Sequence, residues 1–171
     1  MKKIIVLILI SYLLFISNVK SKEIVIPDEA IRLRIIANSN NEYDQNIKMK
    51  LSIEIEKKIS ELLKDTKDVN EAKKIIKNNI GTLNKYVQDF LEKENYNMKY
   101  TIVYGDNYFP NKTYNGVTYN EGLYESLLIT LGKGEGKNWW CVLFPPLCLM
   151  EEESNNTEYK FFVKELINKY F

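Results

Sequence analysis

The residues best suited to chemistry or recognition lie in one block, Gly132-Lys133-Gly134-Glu135-Gly136-Lys137-Asn138-Trp139-Trp140-Cys141-Val142-Leu143-Phe144-Pro145-Pro146-Leu147-Cys148, which holds both tryptophans and both cysteines of the chain. Glycines at Gly132, Gly134 and Gly136 could cradle a phosphate on their backbone amides. Their spacing is neither the dinucleotide fingerprint nor the P-loop, and a strand-like run follows instead of a helix, so they read as a turn. Cys141 as a nucleophile lacks a base, because the chain contains no histidine. That absence also excludes Ser-His-Asp and Cys-His catalysis and the usual zinc sites. Glu121 and Glu125 could be the two carboxylates of a glycan hydrolase. Neither stands in a recognisable acid context, and both read as solvated charges at a strand end. The expectation is a non-enzyme with no catalytic or metal-binding residue, no cofactor and no small-molecule substrate.

What remains is recognition. Trp139, Trp140, Phe144, Pro145 and Pro146 form a stiff aromatic and proline-rich segment, which loses little entropy on docking and suits a protein contact. Core packing is the competing use of the same residues. Adjacent residues alternate across a strand, so Trp139 and Trp140 should face opposite sides of a sheet, and Pro145-Pro146 should end its ladder. Arg32 and Arg34, sharing one face of an earlier strand, are weaker contact candidates, with a solvated face as the alternative.

The chain of 171 residues carries a net charge of +1, from 24 basic and 23 acidic residues. It projects no long-range field towards nucleic acid or an anionic membrane, and its 12 tyrosines are too scattered to form a base-stacking platform. Lys2 and Lys3 precede an apolar run from Ile4 to Ile16 of about 13 residues, the size of a signal-peptide core and short of the roughly 20 needed to span a bilayer. Residues 1–21 are therefore expected to be a signal peptide or N-terminal anchor and residues 22–28 a linker, leaving one domain at residues 29–171. Contact with a membrane would come only through an uncleaved leader. In an exported chain, Cys141 and Cys148 point to a disulfide, the alternative being two free buried thiols.

The elements that must position these groups follow from periodicity. Ile31, Leu33 and Ile35 alternate with Arg32 and Arg34 in a half-buried strand. Asn38-Ser39-Asn40-Asn41 is helix-cap chemistry. Ile47, Leu51, Ile55, Ile59 and Leu62-Leu63 then mark a helix from about Asp44. Asp68 with Glu71 resembles a capping box opening a second long helix through Phe90-Leu91, with Gly81 as its weak point. Met98–Tyr104, Leu123–Leu131 and Trp139–Phe144 read as strands, and Lys112–Thr118 as a hairpin around Asn115-Gly116. Tyr159, Phe162-Val163, Leu166-Ile167 and Tyr170 give a C-terminal helix. The expected fold is α+β, a single domain whose mainly antiparallel sheet of four to five strands carries two long helices and the C-terminal helix.

The block from Asn138 to Cys148, together with Gly122-Leu123-Tyr124-Glu125, Ile31-Arg32-Leu33-Arg34-Ile35-Ile36-Ala37-Asn38-Ser39, Asp44-Gln45 and the run Tyr108, Phe109, Pro110, Lys112 and Tyr114, resembles the stage II sporulation protein R family. The chain departs from that family's pattern at Asn40, where an aspartate is usual, and at Asn120-Glu121-Gly122, where Pro-Ala-Gly is usual. The resemblance implies a signalling protein made in the forespore and secreted into the intermembrane space, possessing no enzymatic activity. Its implied partner is the membrane-bound aspartic protease of the mother cell, which it activates to process pro-sigma-E. An exported module binding a cell-envelope glycan or protein through the tryptophan block is the alternative.

Overall fold

The structure, a computed structural model, describes residues 24–114, 117–147 and 156–171. The expected leader, Cys148 and the Asn115-Gly116 turn lie outside the described residues. In chain order the elements are β1 (Ile24–Val25), β2 (Ile31–Ile36), α1 (Glu42–Leu63), α2 (Val69–Asn78), α3 (Ile80–Lys93), β3 (Tyr100–Phe109), β4 (Lys112–Tyr114), β5 (Val117–Tyr119), β6 (Gly122–Leu131), β7 (Asn138–Phe144) and α4 (Asn156–Tyr170). The fold is α+β, but the strands form two sheets, β3-β6-β2-β7 and β1-β5-β4.

The main sheet is antiparallel at two of its three pairings, in line with the expectation, but each sheet also contains one parallel pair that the expectation lacked. β6 pairs antiparallel with β3 and parallel with β2, while β7 pairs antiparallel with β2. The connection explains this. After β2 the chain passes through three helices and returns as the edge strand β3, and its reversal into β6 lays that strand alongside β2 in the same direction. Ile24–Val25, in the stretch expected as a linker, pairs parallel with β5.

Alternation along β2 puts Ile31, Leu33 and Ile35 into the larger core, with Leu127, Ile129 and Leu131 of β6 and Cys141 and Leu143 of β7. The helices cover this face with Ile47, Leu51, Ile55 and Ile59 of α1, Ala72 and Ile76 of α2, and Leu83, Val87 and Leu91 of α3. The spacing of these residues keeps each apolar stripe on one side of its helix. A smaller core on the other face joins Ile26, Ala30, Val117, Val142 and Leu147 to Val163 and Leu166 of α4.

The second long helix is broken, a further correction. Asn79, at φ −103° and ψ 10°, ends α2: its amide reaches both Ile75 O and Ile76 O, each at 3.1 Å, and its side chain also donates to Ile75 O at 2.8 Å. Asparagine competing for its own helix's carbonyls interrupts the ladder, two residues before the glycine expected to weaken it. At the start of α2, Asp68 accepts from Glu71 N at 2.9 Å and Glu71 accepts from Lys67 N at 3.1 Å, a variant of the capping box.

The corner between β2 and α1 is densely hydrogen-bonded. Asn41 caps α1, its Oδ1 accepting from Asp44 N at 2.7 Å. The Asp44 carboxylate, 3% exposed, accepts from Ser39 Oγ at 2.7 Å, Asn38 Nδ2 at 2.8 Å, Asn41 Nδ2 at 3.1 Å and the Tyr96 hydroxyl at 3.2 Å. The same turn holds the glycine loop: Asn38 Oδ1 accepts from Lys133 N at 2.9 Å, Asn40 Oδ1 from Lys137 N at 2.8 Å, and Ala37 O from Gly136 N at 2.9 Å. Gly132 has φ +56°, and a Cβ there would collide with the Asn38 side chain, so glycine is required by both conformation and space.

Burial alone would push the Asp44 carboxyl up. The bonds from Ser39, Asn38, Tyr96 and Asn41 outweigh it and hold the group below its ordinary value. Because the folded value lies below the unfolded one, the stabilisation is complete above the unfolded pKa of about 3.9 and is lost as pH falls through the folded value. Asp44→Asn is expected to cost about 1 to 3 kcal/mol near neutral pH. The difference from the native chain should shrink when urea denaturation is repeated near pH 3.

Candidate protein-recognition site

Period-two alternation separates the tryptophan block into two environments. Trp139, opposite Ile35, packs half-buried against the larger core on the helix side. Phe144 points the same way, 2% exposed, with its ring 4.7 Å from that of Tyr170 in α4. Trp140, opposite Arg34, faces the other way and is also half-buried. The strand ends at Phe144, and Pro145 is buried while Pro146 is partly exposed. Cys141 is disulfide-bonded; the chain's second cysteine, Cys148, lies outside the described residues.

On the Trp140 face the two arginines of β2 meet the aromatics. The Arg34 guanidinium lies 5.1 Å from the Trp140 ring centre, its Nε donates to Asn138 Oδ1 at 3.2 Å and its Nη1 to Tyr108 O at 3.3 Å. Arg32 is far more enclosed than a residue on a solvated face, at 2% exposed. Its guanidinium carbon sits 3.3 Å from the Tyr124 ring centre and 5.3 Å from that of Phe109. Phe109 makes edge contacts with Trp140 at 5.1 Å and Tyr124 at 6.1 Å, the T-shaped geometry favoured by aromatic quadrupoles. The result is a cation and aromatic cluster built from β2, β3, β6 and β7.

Beside it is a cavity of about 30 Å³ lined by Arg32, Phe109, Pro110, Tyr119, Trp140 and Val142, with Lys112 and Cys141 completing the wall. The β4–β5 hairpin supplies Lys112 and Tyr119, so it forms one side of a pocket whose floor is the main sheet. Tyr124 turns its hydroxyl to Asp28 Oδ1 at 3.3 Å. Burial draws the Arg32 guanidinium down from its ordinary value, while Tyr124 and Asp28 act in the opposite direction.

The groups weighed for catalysis are committed elsewhere. Glu125 pairs with Lys73 of α2 at 2.9 Å, and Glu121 accepts from the Tyr108 hydroxyl at 3.4 Å. The amides of Lys133, Gly134, Glu135 and Gly136 bond to the chain's own oxygens, so the glycine loop is a bonded turn and not a vacant anion cradle. Among the described residues no cluster of three or more Cys, Asp or Glu could hold a metal ion. Sequence reasoning missed the roles of Tyr124 and Phe109, although both stand in segments singled out for other reasons. No local signal tied them to Arg32.

The family profile described as Stage II sporulation protein R matches residues 27–154 of the chain. A Stage II sporulation protein R from Bacillus subtilis (strain 168) is 40% identical over 132 residues, covering 77% of this chain and 59% of the relative. The chain thus spans less than two thirds of that relative's length. No solved structure matches.

If Trp140 joins Phe109 and Arg34 as described, Trp140→Ala should destabilise the chain by about 2 kcal/mol, less than for a fully buried tryptophan. Trp140→Phe, which keeps an aromatic ring against Phe109, should lose less than half of that. Urea denaturation followed by far-UV circular dichroism compares the two; equal losses would contradict the edge contact.

Proposed function

Because the chain belongs to the stage II sporulation protein R family, which gives it a role in sporulation, we propose that it is the secreted signal by which the forespore activates a membrane-bound aspartic protease of the mother cell. That protease then processes pro-sigma-E. In this reading the chain is exported to the intermembrane space and acts as a binding partner with no turnover of its own.

The observation that carries the contact is the pairing of Arg34 with Trp140 on the sheet face opposite α1, α2 and α3. Both side chains are partly exposed, and Val103 on the neighbouring part of this face is 49% exposed. A tryptophan and an arginine held on adjacent strands are the residue types that dominate protein-binding energies. The strands hold them in place before binding, which lowers the entropy lost on docking.

Activation by binding requires preference, not affinity alone. To move a protease from 1:99 to 99:1 in favour of its active form, the signal must bind that form about 10⁴-fold more tightly, or about 5.5 kcal/mol. A rigid surface suits this because it tolerates few partner shapes.

The test is pro-sigma-E processing in cells that make the mother-cell protease, with and without this chain. Processing is expected only when the chain is present and exported. Arg34→Ala combined with Val103→Glu should lower it at least fivefold while leaving the circular dichroism spectrum unchanged. Absence of processing with both proteins present and correctly located would refute activation.

A further inference from the structure

β3 and β6 run on past the rest of their sheet. They pair from Tyr100 with Leu131 to Phe109 with Gly122, whereas β2 joins β6 only from Ser126 to Thr130. From the rung of Asp106 with Glu125 onward they therefore project beyond β2 as a two-stranded ribbon, a form that is marginal in water unless it is packed against something.

One face of the ribbon is covered. Phe109 and Tyr124 are sealed against Arg32, at 1% and 4% exposed. Alternation puts Asp106, Tyr108, Leu123 and Glu125 on the opposite face, in line with Tyr104 and Leu127, which pack into the larger core. Cover from the helices gives out along this face. Lys73 of α2 still reaches Glu125 at 2.9 Å, but two rungs further on Tyr108 is 54% and Leu123 71% exposed. Among the described residues Leu123 is the most exposed large apolar side chain. Tyr108 and Leu123 stand directly opposite each other, close enough to form one patch.

Charge selects the occupant. Asp106 and Glu125 face each other across a rung, an arrangement that destabilises a ladder, and Glu121 accepts from the Tyr108 hydroxyl at 3.4 Å. Acids thus frame the apolar pair, with Lys73 offsetting Glu125. A second copy of this chain would bring its own acids against these. An anionic membrane would be repelled, as would the chain's acidic run Glu151-Glu152-Glu153. A cation beside an apolar side chain satisfies both halves of the patch, and the Tyr108 ring offers it a π face.

We propose that Tyr108 and Leu123 are a docking surface for a basic and apolar segment of the protein partner, in which an arginine or lysine adjoins an aliphatic residue. The assignment to the partner rests on the signalling function proposed above, whereas the chemistry of the segment does not. The aliphatic residue covers Leu123, and the cation lies by the Tyr108 ring between the carboxylates of Asp106 and Glu121. Arg34 Nη1 donates to Tyr108 O at 3.3 Å, which fixes this patch relative to the Arg34 and Trp140 surface on the other face.

The test uses the full-length chain with ¹³C-labelled leucine methyl groups. Three peptides are titrated at low ionic strength while the Leu123 methyl signals are followed: N-acetyl-Arg-Leu-Arg-Leu amide, its Glu-Leu-Glu-Leu counterpart and its Arg-Gly-Arg-Gly counterpart. The first should shift the signals saturably, with half-saturation at least tenfold lower than for either of the others, and should bind more weakly as salt is added. Unmoved Leu123 signals with that peptide overturn the docking surface. Equal binding of the glutamate peptide overturns its preference for a cation, and equal binding of the glycine peptide overturns its apolar half. Self-association of the native chain in sedimentation, lost in Leu123→Ser, overturns the partner in favour of a second copy.

Asp106→Asn with Glu121→Gln keeps the apolar pair and should weaken the Arg-Leu peptide at least fivefold. Leu123→Ser changes an exposed side chain, so it should leave the thermal midpoint nearly unchanged while lowering pro-sigma-E processing at least fivefold. If Leu123→Ser does not fold, the neutralised chain carries the same processing test. Full processing by these folded variants overturns the assignment to the partner. Failure of the native chain itself to support processing refutes protease activation, while the peptide titration still decides the chemistry of the segment.

Discussion

The buried carboxylate of Asp44 is the constraint on which the remaining geometry depends. It fixes the angle between the end of β2 and the first turn of α1, which adjoin in the chain, and through Tyr96 it ties both to the distant segment after α3. Asn38, which donates to Asp44, also receives the amide of Lys133, 95 positions away. The glycine loop is fastened by these bonds, and β7 begins directly after it. The position of Trp140 relative to Arg34 is therefore set from the β2–α1 corner. A buried charge is tolerated here because three of its four donors, Asn38, Ser39 and Asn41, are short side chains close in sequence, so little chain entropy is lost in assembling them.

A division of labour follows within β2 and β7. Alternate residues of the same two strands serve opposite purposes. Leu33, Ile35, Trp139 and Leu143 are packed beneath the helices, while Arg32, Arg34 and Trp140 stand on the other side. The helices make the first face an ordinary core. The small β1-β5-β4 sheet covers only part of the second, enclosing Arg32 while leaving Arg34 and Trp140 partly exposed. The proposed contact residues are thus mounted on the back of the strands that hold the core together, where their backbone is least able to move.

Much of this arrangement was legible before the structure, because it depends on local rules. The opposed directions of Trp139 and Trp140 follow from strand geometry alone, and the caps at Asn41 and Asp68 from short polar side chains beside apolar periodicity. The fate of Arg32 was not legible. Its alternation with isoleucine and leucine is the pattern of a half-solvated strand, and its burial comes from Phe109 and Tyr124, more than 75 positions further on, beside the β4–β5 hairpin. Strand direction was hidden for a similar reason: β6 gains its parallel neighbour from a distant connection and not from its own residues. Asn79 shows the limit of composition rules within a helix, since the nearby glycine attracted suspicion and the asparagine side chain made the break.

The parallel pairing of Arg32 with Ser126 and of Arg34 with Leu128 has a consequence for how the molecule comes into being. The central pair of the main sheet joins strands whose partners Arg32 and Ser126 lie 94 positions apart, so a long loop must close before any ladder bond offsets the lost entropy. The three helices can form from local contacts and touch one another, but the sheet face they cover is incomplete until β6 arrives beside β2. If the chain is exported as proposed, then emerging from a membrane pore with its N-terminus first it would remain a string of helices and unpaired segments through most of its passage. Its sheet, and with it the Arg34 and Trp140 surface, would assemble only on the far side. Folding and arrival would then be the same event.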